Sequence, residues 1–243
     1  MLLAIDIGNT HISLGVFKNG RLIKRYTIQT KEKNYAPGLK KILSQNKISA
    51  AILCSVVPKA EKILTEDLKK LTGRKPYNIG KDIKVPIKNL YRRPRQVGQD
   101  RLVNAYAGIK LYGAPLVVVD FGTAITFDVI SKDKEYLGGI ILPGLEISLE
   151  GLYRRTALLP KIKLAKPKEF IGRDTKYSIL SGIIYGFSAA TDGLIRELKK
   201  KIGANALSIG TGGNINLMRK FCKRLDKIDE ALTLKGLDAL YEK

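Results

Sequence analysis

The stretch Leu2-Leu-Ala-Ile-Asp-Ile-Gly-Asn-Thr10 decides the fold of this chain. Its apolar residues 2–5 predict a strand buried on both faces, and Asp6 follows at the carboxyl end of that strand. The alternating run from Ile12 to Val16 predicts a second strand that returns antiparallel to the first. An acid, a glycine and hydroxyl donors at a hairpin tip can cradle a phosphate and its magnesium, although an ordinary hairpin with a polar tip has the same residues.

A second copy of this pattern favours the phosphate-binding interpretation. The stretch Leu116-Val-Val-Val-Asp-Phe-Gly-Thr-Ala-Ile-Thr126 again places an aspartate, Asp120, after a β-branched run and a glycine two residues later. In both copies a returning strand, a polar turn and a third strand follow, which indicates an internal duplication. We expect two such units to face each other, with Asp6 and Asp120 on opposite walls of one cleft around a polyphosphate.

The remaining segments predict an α/β layered fold. After the first hairpin unit we expect a helix at 39–43, a strand at 49–57, a helix at 59–71, a strand at 77–79 and a helix at 102–112. After the second we expect a helix at 145–153, two helical segments within 175–202 and a strand at 206–209. The chain is therefore predicted to form two duplicated domains, residues 1–113 and 114–243, each with a mixed five-stranded sheet.

Composition restricts the class of protein. The chain has 243 residues, of which 44% are hydrophobic and 27% charged, as in ordinary globular proteins. A chain of this length buries on the order of 70% of its unfolded surface and needs no disulfides, so the two cysteines fit a reduced, intracellular setting. We expect no membrane span of roughly 18 apolar residues, and the amino terminus predicts a strand rather than a signal peptide.

The formal net charge of +22 has three interpretations. It could reflect a nucleic-acid partner, a hot habitat or the attraction of anionic substrates. The lysines are spread along the whole chain without a basic block interleaved with aromatic residues, which does not favour nucleic acid. The lysine-rich, tryptophan-free composition fits a protein from a hot environment.

Several polar residues outside the hairpins are candidates for binding or catalysis. Asp82–Arg95 has two prolines and many basic residues, so we interpret it as a long functional loop. Asp100 and Arg101 fall in the first turn of the next predicted helix, where the helix dipole favours a carboxylate, although Asp100 could also serve only as a cap. The glycines of 210–213 follow a predicted strand, which is a weak phosphate-binding signal. The single histidine, His11, cannot form a zinc site or a usual catalytic triad.

Six motifs, in order along nearly the whole chain, resemble those of type III pantothenate kinases, members of the acetate kinase, Hsp70 and actin-like superfamily. They are Asp6-Ile-Gly-Asn-Thr10, Ser55-Val-Val-Pro58, Gly98-Gln-Asp-Arg101, Asp120-Phe-Gly-Thr-Ala-Ile-Thr126, Gly138-Gly-Ile-Ile-Leu-Pro-Gly144 and Gly210-Thr-Gly-Gly213. The sequence departs from the family at Gln99, where the family usually has alanine. Because Gly98, Asp100 and Arg101 are present, we expect a local adjustment there rather than lost activity.

The resemblance implies two ribonuclease H-like (actin-like ATPase) domains with the active site in the cleft between them. It implies ATP-dependent phosphorylation of pantothenate to 4'-phosphopantothenate, the first step of coenzyme A biosynthesis. It also implies a cytoplasmic homodimer that uses magnesium with ATP and a monovalent cation, potassium or ammonium. The alternatives are a transcription accessory factor on the same fold and a superfamily kinase that acts on another small substrate, such as a sugar or acetate.

The resemblance also implies a role for each matched residue. Asp100 would be the catalytic base, Asp120 would bind the monovalent cation, and Asp6 would hold magnesium through water. The residues that would contact ATP or its phosphates are Asp6, Ile7, Gly8, Asn9, Thr10, His11, Ile12, Ser13 and Thr123. The residues that would contact pantothenate are Tyr91, Gly98, Gln99, Asp100, Arg101 and Thr175, with Thr175 reaching from the other subunit. Arg101 suits the carboxylate of pantothenate because a guanidinium binds a carboxylate through two parallel hydrogen bonds.

Overall fold

The computed structural model describes residues 1–242 of the chain. The strands are β1 (Leu2–Ile7), β2 (His11–Lys18), β3 (Arg21–Gln29), β4 (Ala50–Ser55), β5 (Tyr77–Asn78), β6 (Leu116–Phe121), β7 (Ala124–Ile130), β8 (Tyr136–Pro143), β9 (Leu207–Thr211) and β10 (Lys227–Ile228). The helices are α1 (Ala36–Gln45), α2 (Pro58–Thr72), α3 (Gln99–Tyr112), α4 (Leu145–Arg155), α5 (Thr175–Ile202), α6 (Ile215–Met218) and α7 (Leu232–Tyr241). A 3₁₀ turn at Pro94–Gln96 precedes α3.

The chain forms two compact units, and each contains one five-stranded mixed sheet, as predicted. The strand order is β3-β2-β1-β4-β5 in the first unit and β8-β7-β6-β9-β10 in the second, so the two sheets have the same topology. In each sheet the leading strand pairs antiparallel with the strand after it and parallel with the strand that follows a helix. This repeated topology confirms the predicted duplication.

The leading strands form because their apolar runs are covered on both faces. β1 and β6 each have four fully or nearly fully buried residues, then a half-buried aspartate, then one more buried residue. In the first unit, one face of the sheet packs on α1 and α2 through residues such as Leu39 and Leu64. In the second unit, β6 and β7 pack against α4, α5 and α6 through residues such as Leu149 and Ile184. Burial of both faces therefore leaves the aspartate as the polar group at the strand end.

The units differ from the predicted domains at the carboxyl end of the chain. The first unit comprises residues 1–87, 92–110 and 231 onward, and the second comprises 88–91 and 111–230. The last helix, α7, belongs to the first unit because Leu234, Leu237 and Leu240 pack with Leu2 and Phe17 on the second face of the first sheet. The sequence boundary predicted at residue 113 lies near the change of unit at 110–111.

Helix α5 differs from the prediction of two helical segments. It runs without a break over 28 residues, from the cap formed by Asp174, which accepts a hydrogen bond from the backbone N–H of Tyr177, to Gly203. Gly182, Gly186 and Gly193 do not interrupt it because single glycines weaken a helix by only about 1 kcal/mol each.

Helix α5 also bears on the expectation that no segment could span a membrane. By length and composition alone it is apolar enough to do so, and 39% of its most apolar window is buried inside the structure. Its buried residues include Leu180, Ile184 and Ile195, which lie in the hydrophobic core of the second unit. The helix therefore has one face in a protein core and another face open.

Candidate active site

The turn between β1 and β2 is the first part of the candidate site. Asp6 is the fifth residue of β1 and lies opposite Ser13 on β2 and Cys54 on β4. The strand register leaves four residues in the turn, Gly8 to His11, and the last three of them are exposed. The predicted phosphate-binding segment, residues 6–13, therefore contains one half-buried carboxylate and an exposed turn, whereas the side chains of Ile7 and Ile12 are fully buried in the hydrophobic core.

Thr30, the residue after β3, braces this turn. Its side-chain hydroxyl donates a hydrogen bond to the carbonyl oxygen of Gly8 at 2.7 Å, and its backbone N–H donates to the carbonyl oxygen of Thr10 at 3.1 Å. The buried Tyr35 donates its O–H to the carbonyl oxygen of Thr30 at 2.6 Å. Thr30 could not be identified from the sequence, because its hydrogen bonds to the turn depend on where β3 ends beside the hairpin and not on a local motif.

Asp100 lies in the first turn of α3, as predicted. Its Oδ1 accepts a hydrogen bond from the backbone N–H of Arg101 at 2.9 Å and occupies the space that a side chain on Gly98 would need. Burial raises the pKa of the Asp100 carboxyl, while the N–H and the positive charge of Arg101 oppose that rise. A carboxylate with a raised pKa is a better proton acceptor, so Asp100 has the environment of a general base.

The surroundings of the Cys54 thiol connect Asp6 with Asp100. Cys54 is fully buried, and burial raises its pKa well above the usual range. The negative charges of Asp6 and then Asp100 raise that pKa further. Two geometric observations agree with this: Asp6 lies opposite Cys54 in the β1–β4 pair, and the segment from Gly98 to Asp100 lies beside Val56, directly after β4.

The other residues of the segment 98–101 have different surroundings. A Cβ built on Gly98 would lie 3.7 Å from a methyl carbon of Val56, which places this segment beside the end of β4. The side chain of Gln99 rests on Gly80, whose φ of +87° only glycine adopts readily. Arg101 is half-buried in the first turn of α3. Gln99 thus contacts the protein itself, through a turn that the sequence did not connect with the site.

The turn between β6 and β7 is the corresponding site of the second unit. Asp120 is the fifth residue of β6 and lies opposite Thr126 on β7 and Thr211 on β9. Its Oδ1 lies where a side chain on Gly212 would be, and 3.3 Å from a Cβ built on Gly122. A glycine with φ of +94° at 212 therefore lets the carboxylate fold closely against the backbone.

Gly144 closes the same turn from another side. A side chain at this position would overlap the carbonyl group of Thr123, and its Cβ would lie 2.8 Å from the carbonyl oxygen of Gly122. Gly144 is the residue that caps α4, so the start of this helix packs directly on the turn. Thr123 itself is exposed.

Tyr91 and Thr175 lie elsewhere in the second unit. Lys88 and Leu90 hydrogen-bond with the backbone of Tyr136 on β8, at 2.8 and 2.9 Å, so this segment extends the edge of the sheet. Tyr91 follows it, and its ring lies against Gly138, 3.3 Å from a Cβ built there. Thr175 is the exposed first residue of α5.

A cavity of about 520 Å³ lies beside Thr175. Its lining comes from α4, α5 and the segment between them and is mostly apolar, so it is not a phosphate-binding pocket. The lining residues are Leu152, Leu159, Thr175, Ser178, Ile179, Gly182 and Ile183.

The two cations that the resemblance implies need oxygen ligands. Within residues 1–242 no group of three or more histidine, cysteine or acidic side chains could hold a metal alone. Magnesium suits the first turn nonetheless, because it is usually held by one or two carboxylates together with substrate phosphates, and Asp6 supplies one carboxylate. In the second turn the carboxylate of Asp120 lies beside Gly122 and Gly212, and carboxylate oxygens are ligands that hard cations accept.

Comparison with known proteins identifies the family. The family model for type III pantothenate kinases matches residues 2–197. The chain belongs to the type III pantothenate kinase family. A type III pantothenate kinase of Moorella thermoacetica is 39% identical over an alignment that covers 100% of this chain and 99% of its own.

Solved structures share the fold at low sequence identity. A protein from Campylobacter jejuni, proposed to be a Baf family transcriptional activator, has a TM-score of 0.59 at 21% identity and covers 99% of this chain and 97% of its own. A Listeria monocytogenes protein proposed to be an N-acetylmannosamine kinase has a TM-score of 0.55 at 15% identity, with 99% and 98% covered. At these identities the likeness concerns the fold alone, which is that of the actin-like ATPases and sugar kinases.

Membership of the family gives the six motifs a common context. In the first unit the motif that contains Asp6 pairs with β4, and the motif that contains Asp100 lies beside Val56, directly after β4. In the second unit the motifs that contain Asp120, Gly144 and Gly212 meet at one turn. The arrangement of the two units relative to each other, and with it the predicted shared cleft, stays a prediction.

Proposed function

We propose that this protein catalyses the ATP-dependent phosphorylation of pantothenate to 4'-phosphopantothenate, the first step of coenzyme A biosynthesis. The observation that supports this most strongly is the full-length match to the type III pantothenate kinase family. The position of Asp6 and of the Asp100 segment at the same end of β4 adds support, because phosphoryl transfer depends on positioning and on neutralisation of charge.

Asp100 acts as the general base. It accepts the proton of the primary hydroxyl of pantothenate while that oxygen bonds to the γ-phosphorus of ATP and ADP leaves. The raised pKa of its buried carboxyl suits this task, since proton transfer is most efficient when the pKa of the base approaches the working pH.

Pantothenate is held on both sides of Asp100 along the chain. Arg101 binds the carboxylate at one end of the substrate, and the primary hydroxyl at the other end reaches Asp100. Gly98 on the same segment, Tyr91 on the loop before it, and Thr175 complete the set of contacts, while Gln99, which also belongs to the expected set, packs on Gly80 instead.

The first turn binds the phosphates of ATP through residues 6–13, and Thr123 of the second turn contributes a hydroxyl. The hydrogen bonds from Thr30 keep this turn in one conformation before ATP arrives, which lowers the entropic cost of binding. Asp6 would hold magnesium through water, and this cation would supply positive charge to the phosphates. Asp120 would supply a carboxylate to potassium or ammonium.

The enzyme is a homodimer that uses the open face of α5. Gly182, Gly186 and Gly193 have no atom within 4 Å of a Cβ built on them, so this face is uncovered in the described chain. Large apolar side chains nearby are exposed, among them Leu158 (92%) and Ile171 (75%). Monomeric proteins seldom expose such surfaces, and a second copy would cover them and explain the apolar character of α5. The reduced state of Cys54 and Cys222 fits a cytoplasmic enzyme.

A coupled assay of ADP release tests the proposal directly. Purified protein is given MgATP with pantothenate, N-acetylmannosamine or acetate, each with and without potassium, and the product is identified by mass spectrometry. We expect potassium-dependent ADP release with pantothenate alone and a product heavier by one phosphoryl group. Turnover of another substrate, with none for pantothenate, would assign the chain to a different kinase activity.

The net charge of +22 keeps a nucleic-acid partner as the second candidate. Titration of a labelled DNA duplex at two salt concentrations distinguishes it. Tight, salt-sensitive duplex binding without kinase activity would support that candidate and contradict the proposed function.

A further inference from the structure

Gln99 makes a contact whose position next to Asp100 is informative. A Cβ built on Gly80 would lie 2.9 Å from Cδ and 3.2 Å from Cγ of Gln99, so the side chain covers the bare backbone of this glycine. No hydrogen bond of the Gln99 side chain accompanies this contact among residues 1–242. The side chain of Gln99 is therefore held by packing alone, and a side chain at position 80 would overlap it.

The turn under Gln99 is rigid. The N–H of Gly80 donates to the carbonyl oxygen of Ile83 at 2.7 Å, and the carbonyl oxygen of Asn78 accepts hydrogen bonds from residues 81, 82 and 83 at 2.8–3.2 Å. The backbone N–H of Asn78 donates to Asp82 Oδ2 at 2.8 Å. The turn from 78 to 83 is thus a fixed platform at the end of β5.

Helix α2 stabilises this turn through polar contacts. Glu61, in the first turn of α2, accepts a hydrogen bond from the Asn78 side chain at 2.5 Å and forms an ion pair with Lys81 at 2.6 Å. The negative charge of Glu61 is also felt by Cys54, the thiol beside Asp6 and Asp100. The support of Gln99 is therefore connected to the same end of the sheet as the candidate site.

We propose that Gln99 is a positioning residue that fixes the first turn of α3, and thereby Asp100, by packing on the Gly80 turn; this inference rests on the proposed kinase function. The residue after Gln99 carries the base, and the backbone of this turn is held from two sides. Gln99 packs on Gly80, and Asp100 Oδ1 bonds to the N–H of Arg101 over Gly98. Loss of the packing between Gln99 and Gly80 would leave the first turn of α3, and with it the Asp100 carboxylate, without a fixed position.

The test compares Gln99→Ala with Gln99→Met. Alanine loses the packing, whereas methionine keeps the length and volume of glutamine without its amide. We expect Gln99→Ala to lower kcat by about 10- to 100-fold, the range for a reacting group displaced by about 1 Å, with a much smaller change in KM for ATP. Gln99→Met should retain most of the activity. A kcat for Gln99→Ala close to that of the wild type, or equal losses in both variants, would overturn the inference.

A double-mutant cycle with Gly80→Ala tests the contact itself. In the presence of Gln99 the new Cβ both overlaps the side chain and strains the backbone, while in the Gln99→Ala background only the strain remains. We expect Gly80→Ala to lower kcat and Tm strongly in the first background and much less in the second. Additive effects would mean that the two residues do not act through one contact.

Gly113→Ala is the matched control for backbone strain. Its φ is +86°, against +87° for Gly80, and no atom lies within 4 Å of a Cβ built there. Its loss of stability measures strain alone, and kcat should be unchanged because Gly113 follows the far end of α3. A loss of kcat here as large as that of Gly80→Ala would remove the case for a specific contact.

The pH dependence of kcat/KM separates positioning from general loss of stability. Burial raises the pKa of Asp100, and water admitted by Gln99→Ala should lower it again, so the acid limb of the profile should move to lower pH. Gln99→Met should leave the limb in place, and an unmoved limb in Gln99→Ala would contradict the inference. If the wild type does not phosphorylate pantothenate, the proposed function fails, while the Tm values of the cycle still report whether Gln99 and Gly80 are coupled.

Discussion

The β1–β2 hairpin of the first unit and the β6–β7 hairpin of the second begin with six-residue strands of the same burial pattern, and each strand has aspartate as its fifth residue. They differ in the turn. The register leaves four residues between the paired Ile7 and Ile12 but three between Phe121 and Ile125. The first turn therefore has more exposed polar groups, and the second is shorter and more closely packed.

The parallel neighbour strand explains the difference around the acids. Asp6 lies opposite Cys54 and Asp120 opposite Thr211, so the next residues, Ser55 and Gly212, occupy equivalent positions. Gly212 leaves the space into which the carboxylate of Asp120 folds. The duplicated strands thus keep the place of the acid, and Gly212, directly after β9, leaves room for the carboxylate of Asp120 against the backbone.

The first unit also has an acid without a counterpart. Helix α3 follows β5 and has Asp100 in its first turn, whereas α7, which follows β10, has no acidic residue there. Asp100→Asn should therefore have the largest effect, lowering kcat by roughly 10²- to 10⁴-fold, the scale for loss of a positioned general base.

Stability measurements accompany that variant as its control. Because burial raises the pKa of Asp100, the ionised carboxylate costs folding stability above that pKa, and asparagine removes the cost. We expect Tm at pH 7 to be unchanged or higher while kcat falls. Near-normal turnover by a folded Asp100→Asn protein would exclude Asp100 from the mechanism.

Exchanging the equivalent residues Gly212 and Ser55 tests why the two turns differ. In Gly212→Ser the new Cβ would overlap Asp120 and lie 2.6 Å from the backbone nitrogen of Phe121, at a φ of +94°. Backbone cannot yield as a side chain does, so we expect a loss of at least about 3 kcal/mol in the free energy of unfolding. Urea unfolding followed by circular dichroism measures it, since the chain has no tryptophan.

The reciprocal variant, Ser55→Gly, is the matched comparison. It removes one hydrogen bond, from the backbone N–H of Val57 to Ser55 Oγ at 3.1 Å, and should cost about 1 kcal/mol. Equal losses for the two variants would mean that the closed packing around Asp120 is not what distinguishes the turns.

The strands of both sheets could be predicted from the sequence because they depend on local residue patterns. The Asp-x-Gly repeat, the alternating strands and the apolar runs predicted both sheets and placed Asp6, Asp100 and Asp120 at the ends of their elements. The same patterns could not reveal contacts between distant segments. Thr30 braces Gly8 across 22 residues, and Gln99 covers Gly80, and no local motif marks either pair.

Two helices show what the sequence does not reveal. The sequence predicts two helical segments within 175–202, but the glycines of this segment face open space, so nothing in the unit bends the single helix there. Helix α7 has leucines at helical spacing, yet its partners include Leu2 and Phe17 at the other end of the chain. Membership of the first unit is decided by that long-range packing, which the sequence does not show.

Asp6→Asn and Asp120→Asn sharpen the comparison between the acids themselves. If the open turn serves magnesium and ATP and the closed turn serves the monovalent cation, Asp6→Asn should raise KM for MgATP by about 10- to 100-fold, the scale for loss of a supporting metal contact. Asp120→Asn should instead shift the potassium activation curve to higher concentration. Identical changes of both parameters in both variants would contradict a division of roles between the turns.

The smallest expected effect concerns α7, the helix that joins the first unit from the end of the chain. Burial, assisted by the charge of Glu242, raises the pKa of Asp238 to about 6. A raised pKa means that the protonated form favours the folded state, so this contribution to stability is complete below about pH 4 and is lost as the pH rises through 6. Asp238→Asn should therefore raise Tm by a few degrees at pH 7.5, where about 1 kcal/mol corresponds to roughly 2–4 °C, and leave it unchanged near pH 4. Asp133→Asn, in the exposed β7–β8 turn, is the control, and a pH-independent effect of Asp238→Asn would mean that the ionised carboxylate does not strain the packing of α7 on the first unit.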